Sequence, residues 1–530
     1  MGRPADVRRY TVMATTVANF LRSHRPLPVA EATAEIRKRM ATRNERFLQV
    51  LDACVWSHAA SPYLPLLRAA GCERGDVTNL VRREGLEGTL LRLRSEGVYF
   101  SFEEFRGRRP VQRGSLSFEV TLDTFDNPNA ARDFSRSTSG STGARSQIWA
   151  NLADVARWDG LRVAAEAAHG LDDAPTATWA TGALNGLPGH LGRPDGIPRR
   201  LFVSRVERDD RYAGTYTAVA RLMRVLAPMR GLRLPPLQWI DDGDARPIAR
   251  WAAAQVEMHG RARINAGVSK AVRIASAATA EGLDLDGVSI VGTGEPATPG
   301  KVAAIRGAGA RWVPYYAFAE GGAVGFGCAD PVDGSDVHLF ADRFAVVQTP
   351  RRVPGTELHV DAFNFTGLSD GAAKVLLNVE IDDFGILERR DCGCMLGELG
   401  YGQHIRQIFS FQKLTGEGVT LVGTDLVRIL EEVLPRRFGG NPGDYQLVEE
   451  EDDRNLTRLS LVVDPAVQIG DESAVIAAVL RELKETDAPS SMGAAIWAQA
   501  GTFRVVRRKP VTTEGKLLPL YSSRRRAPAS

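Results

Sequence analysis

Residues 137–143 read Ser-Thr-Ser-Gly-Ser-Thr-Gly, five hydroxyl side chains and two glycines in succession. Such a loop can bring backbone N–H groups and hydroxyls against a polyphosphate without side-chain obstruction. It is not a Walker loop, because Gly143 is followed by Ala144, Arg145 and Ser146 instead of Lys and Ser/Thr. A flexible Ser/Gly linker has the same composition. Four further blocks carry chemistry. Gly292, Gly294, Glu295 and Pro296 close an apolar run, where glycines let a flat ligand approach the backbone, or where a strand merely turns into a helix. Tyr316 could stack on a base and Glu320 could offer a hard oxygen to a divalent ion, or both belong to an aromatic core cluster beside a turn. Asp383, preceded by Asp382 and followed by Phe384 and Gly385, could accept two hydrogen bonds from a ribose diol, or lie in an acidic turn. Lys516, on the Thr512-Thr513-Glu514-Gly515 loop, could stabilise charge developing on carboxylate and phosphate oxygens, or belong to a frayed basic tail.

A metal centre is a separate expectation. Cys392-Gly393-Cys394 is a tight pair, and Cys328 and His338 lie upstream. Three thiolates and one imidazole fit a closed tetrahedral zinc site; buried free thiols beside an ordinary histidine are the alternative. Cys54 and Cys72 read as core residues. A Ser-His-Asp hydrolase is not expected. His190 and His359 stand isolated, and the chain is read as having no Gly-x-Ser-x-Gly elbow to pair with any of its eight histidines.

The elements that must position these groups read as α/β. Residues 30–68 show helical spacing at Ile36, Met40, Phe47, Leu51 and Val55, broken at Ser61-Pro62. Residues 115–125 alternate as a strand leading toward the Ser/Gly loop, and 148–169 and 245–280 read as helical. Residues 288–294 form a short buried strand, and β/α alternation continues to 348. A second, α+β unit begins near Lys413, with a helix at 426–434, strands at 445–449 and 457–463, a helix at 473–484 capped by Asp471, and a strand from 495. The expected architecture is a large N-terminal α/β domain, residues 1–412, and a small C-terminal α+β lid, residues 413–530.

Composition sets outer bounds. A chain of 530 residues with 44% hydrophobic and 25% charged residues is typical of a multi-domain globular protein. A net charge of +3 does not point to a nucleic-acid partner. No apolar run reaches membrane-spanning length, and the first residues lack a secretory h-region. Five cysteines, an odd number, argue against a disulfide framework, so a reducing cytoplasm is the expected setting.

Taken in order, the blocks make a resemblance. The chain is similar to acyl-adenylate-forming ligases of the ANL superfamily, most of all to the phenylacetate–CoA ligase and long-chain acyl-protein synthetase branch. TSGSTG at 138–143 resembles the family's phosphate loop, GTGEP at 292–296 its GGEP block, and YAFAE at 316–320 its YGxTE block. Asp383 falls where the family has the aspartate of its YRTGD block, and TTEGK at 512–516 resembles its C-terminal lysine loop. The resemblance implies that Ser139, Gly140, Ser141, Thr142 and Gly143 cradle ATP phosphates. It implies that Tyr316 stacks on adenine beside Gly294 and Glu295, that Glu320 binds Mg²⁺ and that Asp383 holds the ribose. Lys516 would contact the carboxylate and α-phosphate, and Arg406 is the nearest candidate for the family's ribose- and phosphate-contacting arginine. Some members of the branch carry a zinc site like Cys328, His338, Cys392 and Cys394. The implied reaction joins a small carboxylic acid to AMP from ATP. Transfer to coenzyme A is the default; a thiol on an external acyl carrier protein, or an amine, is the other acceptor. The sequence departs from the family at Arg145-Ser146, at Ala317-Phe318-Ala319, at Val379 to Asp382 before the aspartate, and at the hinge near 411–413. Those departures motivate an alternative, an adenylation fold that binds without catalysis.

Overall fold

The computed structural model describes residues 27–137, 147–151, 154, 159–180, 196–204, 225–230, 235–241, 244–352, 359–410, 415–416, 419–420, 424–451, 457–484, 503–513 and 516–522. The architecture is mixed α/β. Among these residues one sheet has twelve strands. Its order is Phe344–Arg352, His359–Gly367, Val379–Arg389, Gln403–Ser410, Val337–Leu339, Gly322–Gly327, Arg311–Phe318, Val288–Thr293, Ala262–Gly267, Thr176–Ala180, Arg199–Ser204 and Leu237–Ile240.

Strand Arg311–Phe318 is the pivot of that sheet. It pairs parallel with Val288–Thr293 and antiparallel with Gly322–Gly327. The six strands from Arg311–Phe318 to Leu237–Ile240 run parallel, so they need crossovers, and helices Arg246–His259, Val268–Ala280 and Pro299–Gly307 supply three of them. Alanines on these helices, among them Ala249, Ala252, Ala271 and Ala275, are buried against Ile264, Val288 and Ile290 of the sheet. Small side chains let helix and sheet approach closely. Gly292 serves the same end: a Cβ there would lie 1.8 Å from the Trp312 ring of the next strand.

The antiparallel half curls. Strands Arg311–Phe318 and Val379–Arg389 are separated by three others in the sheet order. On a flat sheet they would stand about 19 Å apart. Instead Phe318 at the end of the first packs on Phe365 and Phe344 of still more distant strands, with ring centroids 5.0 and 5.9 Å apart. The inward faces contribute Val324, Leu339, Phe363, Phe365 and Ile405 to one buried cluster, which also takes Tyr63, Phe100 and Phe125 from the N-terminal helical region.

A second sheet of four described strands, in the order Arg504–Arg507, Thr457–Val463, Tyr445–Glu451 and Leu520–Ser522, has its own core with Leu430, Val475 and Val479 of two helices. Asp471 caps helix Glu472–Lys484 by accepting from the Ser473 N–H at 2.8 Å.

The structure corrects three readings of local pattern. Residues 115–125 give only the short strand Leu116–Phe118 and a 3₁₀ turn Leu122–Phe125, because the strand's hairpin partner Val111–Arg113 is equally short. Residues 148–150 belong to strand Gln147–Ala150, paired with Phe134–Ser137, instead of to a helix; helix Asp159–Ala168 covers the later part of the stretch. Strand Ala262–Gly267 interrupts the expected helical stretch 245–280 after Gly260, whose φ of 73° ends the preceding helix. Helix Pro299–Gly307 continues the expected β/α alternation and is capped by Thr298. The strand expected from 495, the Ser/Gly loop at 138–143 and the hinge near 411–413 lie outside the described residues.

Candidate functional site

Strand Arg311–Phe318 delivers Tyr316 to the interior of the curl, where it is 9% exposed. Its hydroxyl donates to Asp383 Oδ2 at 2.8 Å. Asp383 comes from Val379–Arg389, where the register with both neighbours slips. Asp382 just before it has φ 84°, left-handed backbone that a side chain rarely adopts. Backbone held in this region is concentrated at ligand sites. Burial, and then the Asp383 carboxylate, push the Tyr316 phenol well above its ordinary pKa, so it stays a donor. The curl therefore brings together two residues 67 positions apart.

Glu320 follows in the turn after the same strand and is 6% exposed. Its Oε1 lies 2.7 Å from the Arg106 guanidinium, yet neither that oxygen nor Arg106 Nε makes an aligned hydrogen bond. The guanidinium thus stands as the countercharge of this buried carboxylate. Arg106 was not legible in the sequence; its only signal is a basic Arg106-Gly107-Arg108-Arg109 run.

Glu295 belongs to a different network. Its carboxylate accepts from the Ser269 hydroxyl, and from the Ser269 N–H at 3.4 Å, in the first turn of helix Val268–Ala280. It also lies 3.6 Å from the buried Lys301 ammonium. Gly294 is exposed, with φ 88°. Arg406 is engaged elsewhere: its Nε and Nη2 donate to Glu388 at 2.9 and 3.4 Å, and its Nη1 donates to Asp333 at 3.3 Å. Lys516 forms a short pairing with Thr513 across a hairpin that packs on helix Val268–Ala280. Phe202 is buried in the core at 1% exposure, whereas Met229 and Trp239 are exposed.

The four expected metal ligands converge. Cys328 follows strand Gly322–Gly327, His338 is central in Val337–Leu339, and Cys392 and Cys394 precede strand Gln403–Ser410. Their donor atoms all lie within 4.8 Å of one another. His338 Nε2 is 3.1 Å from Cys394 Sγ and 3.6 Å from Cys392 Sγ, and the two sulfurs are 3.3 Å apart. Gly393 at φ 65° turns the chain so that both neighbouring thiols face inward. His338 Nδ1 sits 2.6 Å from the Tyr401 carbonyl, an outer contact that places the proton on Nδ1 and frees Nε2 to ligate. Arg390 donates to Cys328 Sγ at 3.3 Å and to Asp336 at 2.5 Å, and Asp336 in turn holds His404 Nδ1 at 2.7 Å. Hydrogen bonding from Cys328, and then from His338, pulls the Cys394 thiol down to about 2. The same Cys328–Cys394 contact pushes Cys328 up, and burial pushes Cys392 up. The donor set fits tetrahedral zinc.

Contrary to the expectation that none is present, the chain does hold one such serine pattern. Gly367-Leu368-Ser369-Asp370-Gly371 matches Gly-x-Ser-x-Gly, but Ser369 donates its hydroxyl to Asp154 at 2.7 Å and not to a histidine.

No family model matches the chain, and no curated protein matches it. Among solved structures it is similar to the anthranilate CoA ligase AuaEII in complex with anthranoyl-AMP, at 13% identity over 72% of this chain and 65% of that one, with a TM-score of 0.41. It is similar to an amide bond synthetase from Marinactinospora thermotolerans, at 12% identity over 95% and 97%, with a TM-score of 0.38. It is also similar to an acyl-CoA synthetase of Brucella canis, at 14% identity over 77% and 65%, with a TM-score of 0.32. No helix among the described residues is long and apolar enough to cross a membrane.

Proposed function

We propose that this chain is an AMP-forming ligase of the ANL type that activates a carboxylic acid as its acyl-adenylate. The observation that carries the reading is the Tyr316–Asp383 hydrogen bond, which unites the residues assigned to adenine and ribose although three strands separate them in the sheet. Chance placement of two such blocks gives no reason for their side chains to meet. The sequence order of the phosphate loop, GTGEP, YAFAE and TTEGK blocks adds to it.

In this reading Ser139 to Gly143 wrap the phosphates, and Asp383 accepts from the ribose hydroxyls while Tyr316 holds its carboxylate in place. A carboxylate oxygen of the substrate attacks the α-phosphorus, the bond to the bridging oxygen breaks, and pyrophosphate leaves. Little covalent work falls to the protein; positioning and charge neutralisation dominate. Glu320 would hold Mg²⁺, which supplies neutralisation when bound with ATP. Lys516 would stabilise the charge shared between carboxylate and α-phosphate. Cys328, His338, Cys392 and Cys394 would hold a structural zinc that ties three elements of the antiparallel half together. Residues 413–530 would act as the lid, and coenzyme A would take the acyl group, with a carrier-protein thiol or an amine as the other acceptors.

ATP–pyrophosphate exchange across a panel of carboxylic acids tests this. Lys516→Ala should lower exchange by on the order of a hundredfold or more while the protein stays folded; full exchange in the variant refutes the assigned role. The Arg106–Glu320 pair favours one second reading, an adenylation fold that binds without turnover, since the acidic side chain is already neutralised. Zinc-loaded protein that gives no exchange with any acid would favour it.

A further inference from the structure

We propose that Glu295, Lys301 and Glu431 form a clasp that fastens the helical segment 424–438 to the GTGEP turn. Through it, a residue assigned to the nucleotide pocket also fixes the orientation of the C-terminal unit that carries Lys516. The second half of this inference rests on the proposed function; the fastening itself does not.

Lys301 is 2% exposed, and its Nζ lies 2.9 Å from Glu431 Oε1 and 3.6 Å from Glu295 Oε2. The other Glu431 oxygen accepts from the Thr298 hydroxyl, the same hydroxyl that caps helix Pro299–Gly307 by accepting from the Lys301 N–H at 3.4 Å. The Thr298 hydroxyl is thereby used as donor and as acceptor. Backbone also meets backbone: a Cβ on Gly300 would stand 2.5 Å from the Glu431 carbonyl oxygen. Glu431 sits in the π-helical turn Ile429–Val433, whose neighbours Ile429 and Leu430 are buried in the separate core of the C-terminal sheet. One turn thus faces two ways, its apolar side into its own unit and its carboxylate into the other.

The composition of the contact argues for orientation over stability. One ammonium and two carboxylates are enclosed together, and buried ion pairs are frequently no more stabilising than apolar packing of the same volume. They are, however, directional, and they lose their value as soon as one partner moves. Beside the clasp the two units are not packed solid. A cleft of ≈ 540 Å³ separates Ser269, Arg273 and Lys301 on one wall from Asp444, Asp464 and Thr512 on the other. A polar contact at the edge of such a cleft is the kind that opens as a unit.

Amide hydrogen exchange of the full zinc-loaded chain, without nucleotide, tests the fastening. In Lys301→Met, segment 424–438 should exchange roughly tenfold faster or more, while strand Thr457–Val463 keeps its wild-type protection. The swap Lys301→Glu with Glu431→Lys should restore most of the protection. If Lys301→Met does not fold, Thr298→Val should give a smaller increase confined to the same segment. Unchanged exchange at 424–438, or an equal rise in strand and helix, overturns the clasp. For the coupling, ATP–pyrophosphate exchange and acyl transfer to coenzyme A should change by different factors in Lys301→Met; equal factors overturn it. Absence of both reactions in the wild type would refute the proposed function and with it the coupling, whereas the fastening is decided by the exchange data alone.

Discussion

Tyr316 and Asp383 show how a single polar contact can organise a site. The tyrosine is nearly enclosed, so its hydroxyl needs a partner, and a carboxylate is the strongest acceptor within reach. Tyr316→Phe should destabilise the protein by about 1.5–3 kcal/mol, the worth of a hydrogen bond to a charged group, measured as a lower urea midpoint with unchanged slope. Asp383 would then lose its anchor, and ATP affinity measured by calorimetry should fall as well; an unchanged midpoint and affinity together would contradict both roles. Tyr316, Glu320 and Asp383 were nameable from the sequence because each stands in a short block with recognisable neighbours. Arg106 was not, because the carboxylate it meets is 214 residues away and no local pattern points there.

Two elements depend on glycines for distinct reasons. Gly292 lets the Trp312 ring lie directly on strand Val288–Thr293, and the ring's N–H is satisfied by the Gly334 carbonyl at 2.7 Å. Since the tryptophan is fixed at both ends, Gly292→Ala should cost about 1–3 kcal/mol or more by overpacking, read as a fall in melting temperature. Gly393 instead supplies the left-handed turn between Cys392 and Cys394. The protein is expected to carry one zinc per chain. A strong chelator, or Cys394→Ser, should remove it and lower the melting temperature, with metal content followed by atomic absorption. Protein that purifies free of zinc and melts unchanged in chelator would rule the centre out. The Cys-x-Cys pair was visible in the sequence, but the outer partners Asp336, Arg390 and His404 were not, since the sheet alone sets them side by side.

Across the molecule, charge is buried where elements cross. Glu166 of helix Asp159–Ala168 pairs with Arg162 at 2.8 Å and with Arg263 of strand Ala262–Gly267 at 2.6 Å. Burial alone would raise its carboxyl, but the two guanidiniums outweigh it and hold the group below the usual carboxylate range. A depressed folded-state pKa means stability that is present above the unfolded-state value and is lost as pH falls through the folded one. Acid should therefore destabilise the wild type more steeply than Glu166→Gln, which has already lost this contribution. Urea midpoints between neutral and acidic pH measure it, and parallel curves for the two proteins would show that Glu166 does not take part. The clasp at Lys301 is the corresponding contact between the two units, and it lies beside an open cleft instead of within a packed core.

Composition and block order were enough to establish an α/β chain and to nominate a separate C-terminal unit, five ligand-contacting blocks and a four-residue metal set, because glycine, cysteine and acidic signatures are local. Strand Ala262–Gly267 escaped notice because its Ala-rich pattern matches that of the helices on either side. Which side chains meet was set by the curl of the sheet and the crossing of units: Tyr316 with Asp383, Arg106 with Glu320, and Lys301 with Glu431 are contacts between residues 67 to 214 positions apart. Contacts at such separations are produced by burial of the Phe-rich interior and by the need to neutralise charges enclosed with it. Neither leaves a periodic trace along the chain.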